Sequence, residues 1–145
     1  MNWKQEAIEK LEQYGAKKRS LQIIPEEIAG LEAAATRMRR SRTDRVHING
    51  SELQAEDVLL SNIVKREELG WSLEQARRWV DLVDAGLSVL NTEERQILDR
   101  FYVSGGKGAA DDLASELALD VKTIYRRKDA ALRRFTIALC GSVES

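Results

Sequence analysis

"LASELALDVKTIYRRKDAALRRF", Leu113 to Phe135, is the stretch on which the fold reading turns. Leu113 and Leu117 are spaced as one face of a short helix. Ile124, Ala131, Leu132 and Phe135 are spaced as one face of a longer helix. Between them lie Ala118, Leu119 and Asp120. A helix over 109–117, a three-residue break and a second helix from Val121 to about Cys140 make a helix-turn-helix layout. Ala114 supplies the small residue where the helices cross, Leu119 the apolar plug of the turn, and Ile124 the anchor of the second helix. Asp120 is placed to cap that helix, its side chain accepting from a free backbone N–H. Ala118 stands where glycine is common, at a cost of ~1 kcal/mol if the backbone is left-handed there.

The same stretch is basic. Lys122, Arg126, Arg127, Lys128, Arg133 and Arg134 lie between Val121 and Phe135, with Asp129 the only acid among them. At about 100° per residue the apolar set occupies one face. Lys122, Arg126, Ala130 and Arg133 point the other way, with Thr123 and Arg127 flanking them. One reading is an ordinary solvated helix face. The other is a face built to meet a polyanion, and the helix-turn-helix spacing favours it. The N-terminal half of such a second helix enters the DNA major groove. Arginine there bonds a guanine edge in bidentate fashion, and lysine or threonine reaches bases or phosphates. Arg133 and Arg134, further along, suit backbone contacts. The candidate DNA-binding residues are Lys122, Thr123, Tyr125, Arg126, Arg127, Arg133 and Arg134.

Composition supports an all-α protein. The chain has 145 residues, 43% hydrophobic, with a single proline, and strand-like alternation is scarce. The net charge is −1, but it is unevenly spread. Residues 91–120 carry three basic and seven acidic side chains, and residues 121–145 carry six basic and two acidic. The acidic and basic blocks abut. Apolar runs are only a few residues long, so no membrane span is expected, and no secretory signal opens the chain. The lone cysteine, Cys140, fits a reducing cytoplasm.

Upstream, apolar residues recur in steps of three and four at Trp3, Ala7, Leu11 and Tyr14, then at Leu21, Ile24, Ile28, Leu31, Ala35 and Met38. Gly15 and Pro25 interrupt the run, which predicts two helical pieces or one bent helix. "SRTDRVHINGS", Ser41 to Ser51, reads as a loop. Ser51 with Gln54 forms a capping-box pattern opening a helix to about Leu69. Gly70 is placed to end that helix, and Ser72 with Gln75 to start another to about Leu90. Asn91 with Glu94 caps a further helix through Val103. The expected organisation is an N-terminal helical hairpin, coiled-coil-like, over 1–90, a helix-turn-helix domain over 91–140, and a tail over 141–145.

"LNTEERQILDRFYV" followed by "LASELALDVKTIYRRKDAALRRF" resembles the C-terminal DNA-reading domain, region 4, of sigma-70 family factors. It is more similar still to the phage-encoded late transcription regulators of the ArpU/RinA-like group. The resemblance rests on Glu94, Arg95, Ile97, Leu98, Arg100, Phe101 and Tyr102, then Leu113, Ala114, Leu117, Ile124, Tyr125, Arg126, Ala131 and Leu132. It covers 90–135; over 1–89 it is one of length and helical pattern. It implies a sigma-70 region 4-like helix-turn-helix and a non-enzymatic phage or prophage regulator. Such a regulator would bind double-stranded DNA at late or packaging promoters and could contact host RNA polymerase. The N-terminal helices would then serve dimerisation or the polymerase contact. A reading of another class is a small packaging adaptor, terminase-like, that oligomerises through those helices and holds DNA without sequence preference.

Other features carry less chemistry. Arg37, Arg39, Arg40, Arg42 and Arg45 face a single Asp44. They are either a solvated helix end, where cations suit the dipole, or a second phosphate-contacting arm. "GGKG", Gly105 to Gly108, lacks the spacing and preceding strand of a phosphate loop. His47 and Cys140 are the only residues of their types, so no metal site and no cofactor are expected. Trp3, Trp71 and Trp79 are read first as core residues and second as partner-facing ones.

Overall fold

The computed structural model describes residues 2–44 and 49–141, and side chains only outside 42–44 and 49–53. Among the described residues every regular element is helical, so the protein is all-α. Helix α1 spans Trp3–Asp44, α2 Asn49–Leu87, α3 Thr92–Leu98, α4 Ala109–Leu117 and α5 Val121–Cys140. A π-helical turn, Asp99–Val103, prolongs α3. Its closing bond runs from the Ser104 N–H to the Asp99 carbonyl at 2.7 Å, and the Ser104 hydroxyl donates to the Asp99 carboxylate at 2.9 Å.

Of the two forms expected upstream, the single helix is the one found, and the break expected at Gly70 is absent. α1 runs through Gly15 and Pro25, although an interior proline costs ~3 kcal/mol. Pro25 is exposed, and the half-buried Leu21, Ile24, Ile28 and Leu31 continue one apolar seam on either side of it. α2 runs through Gly70 and Ser72 for the same reason. Its inward positions, Leu59, Asn62, Arg66, Leu69 and Leu73, keep steps of three and four across the glycine. Gly70 is exposed, so its penalty is the ~1 kcal/mol of intrinsic propensity, less than the apolar burial that a break would forfeit. The expected loop over Ser41–Ser51 is helical up to Asp44 and again from Asn49. Residues 45–48, with Arg45 and His47, lie outside the described residues, as does the Ser51 side chain. Ser51 itself sits inside α2 rather than ahead of it.

The chain divides into two compact units, residues 19–77 and residues 1–18 with 78–145. In the first unit α1 and α2 form an antiparallel hairpin. Asn62, nearly buried, donates from Nδ2 to the Leu31 carbonyl at 2.9 Å and accepts from Arg66 Nε at 2.8 Å. A buried polar layer of this kind restricts a helical pair to one register. The second unit takes in the start of α1 and the end of α2 together with α3, α4 and α5.

There, Ala7, Leu11, Val80, Val83, Leu90, Leu132 and Phe135 are buried. Gly86 permits the closest approach: a Cβ on it would stand 2.8 Å from the Phe135 ring and 2.9 Å from the Leu139 side chain. The Tyr14 hydroxyl donates to Asp84 Oδ1 at 2.5 Å. Burial first, then that bond and the Asp84 charge, push its pKa up to about 12.

A raised phenol pKa contributes stability that is complete below the ordinary value near 10 and is lost as pH rises through about 12. Chemical denaturation should therefore show the wild type more stable than Tyr14→Phe at pH 8. That difference should shrink between pH 10 and 12.

Candidate nucleic-acid interface

The face presented by α5 is set at the turn before it. Ala118 adopts φ 55°, ψ 44°, the only left-handed non-glycine among the described residues. Its N–H donates to the Ala114 carbonyl, which also accepts from the Leu119 N–H at 3.0 Å. Asp120 then caps α5, accepting from the Thr123 N–H at 2.8 Å. Hydrogen bonds from the Thr123 side chain and backbone hold the Asp120 carboxyl below its usual range, with Arg126 adding to the effect.

Leu119 and Leu117 pack against a core of Ile97, Ala110, Leu113 and Ile124, joined by Phe101 and Ala114. α3, the π-helical turn, α4 and α5 therefore share one core, and Ile124 fixes the rotation of α5. The Asn91–Glu94 capping box forms as the sequence suggests, at 2.8 and 3.0 Å.

With that stripe turned inward, the six cations of α5 separate into three groups. Lys122, Arg126 and Arg133 are exposed, and among the described residues none of the three carries an ion pair. Arg127 is ion-paired to Glu93. Arg134 bonds Glu94 Oε1 at 2.5 Å and the Val89 carbonyl at 3.1 Å. Lys128 lies against two rings, its Nζ 5.0 Å from the Phe101 centroid and 4.9 Å from Tyr125. Among the other candidates, Thr123 is half-buried at the cap and Tyr125 is exposed.

The structure thus brings Lys122, Arg126 and Arg133 onto one outward row and turns Arg127 and Arg134 towards the start of α3. The seven-residue spacing from Arg127 to Arg134 places them on one edge, the only sequence sign of that role. The edge's partners are legible in the sequence as first-turn acids, Glu93 and Glu94, and Glu94 also as the capping partner of Asn91.

Further contacts join neighbouring elements. Lys4, near the start of α1, reaches Asp129 at 3.7 Å. Glu116 of α4 accepts from Arg100 at 2.6 Å and from Gln96 at 3.1 Å, tying α4 to α3 and the π-helical turn. The Tyr102 phenol is pushed up, by burial first and then by Asp129 and Glu12.

Arg37, Arg39 and Arg40 are exposed on α1, and Arg39 and Arg40 have interactions of their own. Trp71 is exposed, at 67%, whereas Trp3 and Trp79 are half-buried, with Trp79 Nε1 donating to the Lys10 carbonyl at 3.4 Å. Among the described residues no cluster of three or more His, Cys, Asp or Glu could hold a metal. No helix among them is long and apolar enough to cross a membrane. A scan of family models, of curated proteins and of solved structures finds no match to this chain.

Two expectations follow. Ala118→Gly should raise unfolding stability by about 1 kcal/mol in urea titrations, since glycine takes the left-handed backbone without strain. Arg127→Ala and Arg134→Ala should each cost about 0–1 kcal/mol of stability, as half-exposed ion pairs do.

Proposed function

We propose that this protein is a sequence-specific, double-stranded DNA-binding transcription regulator. In this reading α4, the Ala118–Asp120 turn and α5 act as a sigma-70 region 4-like helix-turn-helix. The observation that carries the proposal is the outward row of Lys122, Arg126 and Arg133. These cations are exposed, carry no ion pair among the described residues, and stand on a capped, core-anchored helix that follows a three-residue turn.

Lys122 and Arg126 lie in the first half of α5, the part that such motifs insert into the major groove. Arg126 is assigned to a guanine edge, and Lys122 to a base or phosphate. Arg133, two turns beyond Arg126, is assigned to the DNA backbone. Arg127 and Arg134 support the domain rather than the DNA.

The resemblance to ArpU/RinA-like phage regulators extends the proposal. The protein would be cytoplasmic, phage- or prophage-encoded and non-enzymatic. It would act at late or packaging promoters, with host RNA polymerase and a second copy of the chain as candidate partners.

Selection from a random duplex library at ~150 mM salt, where non-specific binding is weak, should enrich one motif. Arg126→Ala should then weaken binding to that motif by about 1–3 kcal/mol and relax its preference at one base pair. Absence of enrichment, with binding that depends on salt alone, would overturn the sequence-specific reading.

A further inference from the structure

Beside the cations of α5 two apolar side chains stand in the open. Val121 is 36% exposed and Tyr125 47% exposed. Neither belongs to the core formed by Ile97, Ala110, Leu113 and Ile124. They are one helical turn apart, and each is followed directly by a cation, Lys122 and Arg126. The first two turns of α5 therefore carry an apolar row and a cationic row side by side.

The Tyr125 ring is held in place. Its centroid lies 5.8 Å from that of Phe101 with the planes at 54°, and Lys128 Nζ sits 4.9 Å from it. A ring already fixed by its neighbours loses little rotamer freedom on binding.

The chemistry of the major groove limits what such a row can meet. Base edges there offer hydrogen-bond donors and acceptors and one apolar group, the 5-methyl of thymine. Guanine offers the two acceptors that suit an arginine. Two side chains are too few for a protein–protein interface, which takes about 20–30 residues a side. Their position within one residue of two exposed cations suits a groove that offers methyl groups beside hydrogen-bond acceptors.

We propose that Val121 and Tyr125 read thymine 5-methyl groups, so that the target site places thymine next to the guanine contacted from the cationic row. This rests on the assignment of α5 as the DNA-contacting helix.

The test uses the full chain and its enriched duplex, with each thymine replaced in turn by deoxyuridine. That replacement removes one methyl and leaves pairing and hydrogen-bonding edges intact, so no protein variant has to fold for the primary result. Uracil at one or two positions adjacent to a guanine should weaken binding about fourfold each, the worth of one buried CH₂ group. Val121→Ala or Tyr125→Ala should then bind the thymine and uracil duplexes alike at one of those positions. Tyr125→Phe, which keeps the ring, should discriminate as the wild type does.

Equal affinity for every uracil duplex would overturn the inference and leave the regulator reading intact. So would full discrimination by both alanine variants. A library that enriches no motif would remove both.

Discussion

The buried stripe of α5 is the constraint on which the arrangement of this protein's charges depends. Ile124, Ala131, Leu132 and Phe135 are all buried, Ile124 in the core shared with α3 and α4 and Phe135 close against Gly86. Helical geometry ties every other side chain of α5 to that stripe at a fixed angle. Burial of one large apolar side chain is worth about 1.5–3 kcal/mol, whereas a half-exposed ion pair is worth about 0–1 kcal/mol. Packing, not charge, therefore sets the rotation of the helix. The carboxylates of α3 take whichever arginines that rotation delivers to them.

The turn before α5 shows how a small local cost is met. Ala118 accepts a left-handed backbone at ~1 kcal/mol. In the same three residues two N–H groups find the Ala114 carbonyl, Leu119 enters the core, and Asp120 caps the next helix. A net hydrogen bond contributes about 1 kcal/mol and an N-cap about as much in general, so the turn closes with alanine in the unfavourable place. α4 and α5 are both anchored in one core on either side of this turn.

The cations of the basic stretch, alike in sequence, have three different physical situations. Lys122, Arg126 and Arg133 are exposed and carry no ion pair among the described residues. Arg127 and Arg134 bind the α3 carboxylates, which also complement the positive end of that helix. Lys128 lies against Phe101 and Tyr125, a contact worth about 0.5–1 kcal/mol at an exposed site, and so orders an aromatic ring on the outward face. A basic stretch read as one electrostatic footprint is thus one exposed row, one brace and one spacer.

Much of this is legible in the sequence. The all-α class, the Asn91 and Asp120 caps, the bounds of α4 and α5, and the inward set of Ile124, Ala131, Leu132 and Phe135 follow from spacing and local chemistry, because they depend on residues within a turn or two of each other. The separation of Arg127 and Arg134 from Arg126 does not, since their partners lie 34 and 40 residues away. Nor does the continuity of α1 through Pro25 and of α2 through Gly70. Local signals there favour a break, and only the apolar seam between two distant segments outweighs them. Local sequence determined which helices form and which of their faces are apolar. Tertiary packing decided where the long helices ignore their breakers and which cations of α5 take an ion pair, because both outcomes rest on contacts between residues far apart in the chain.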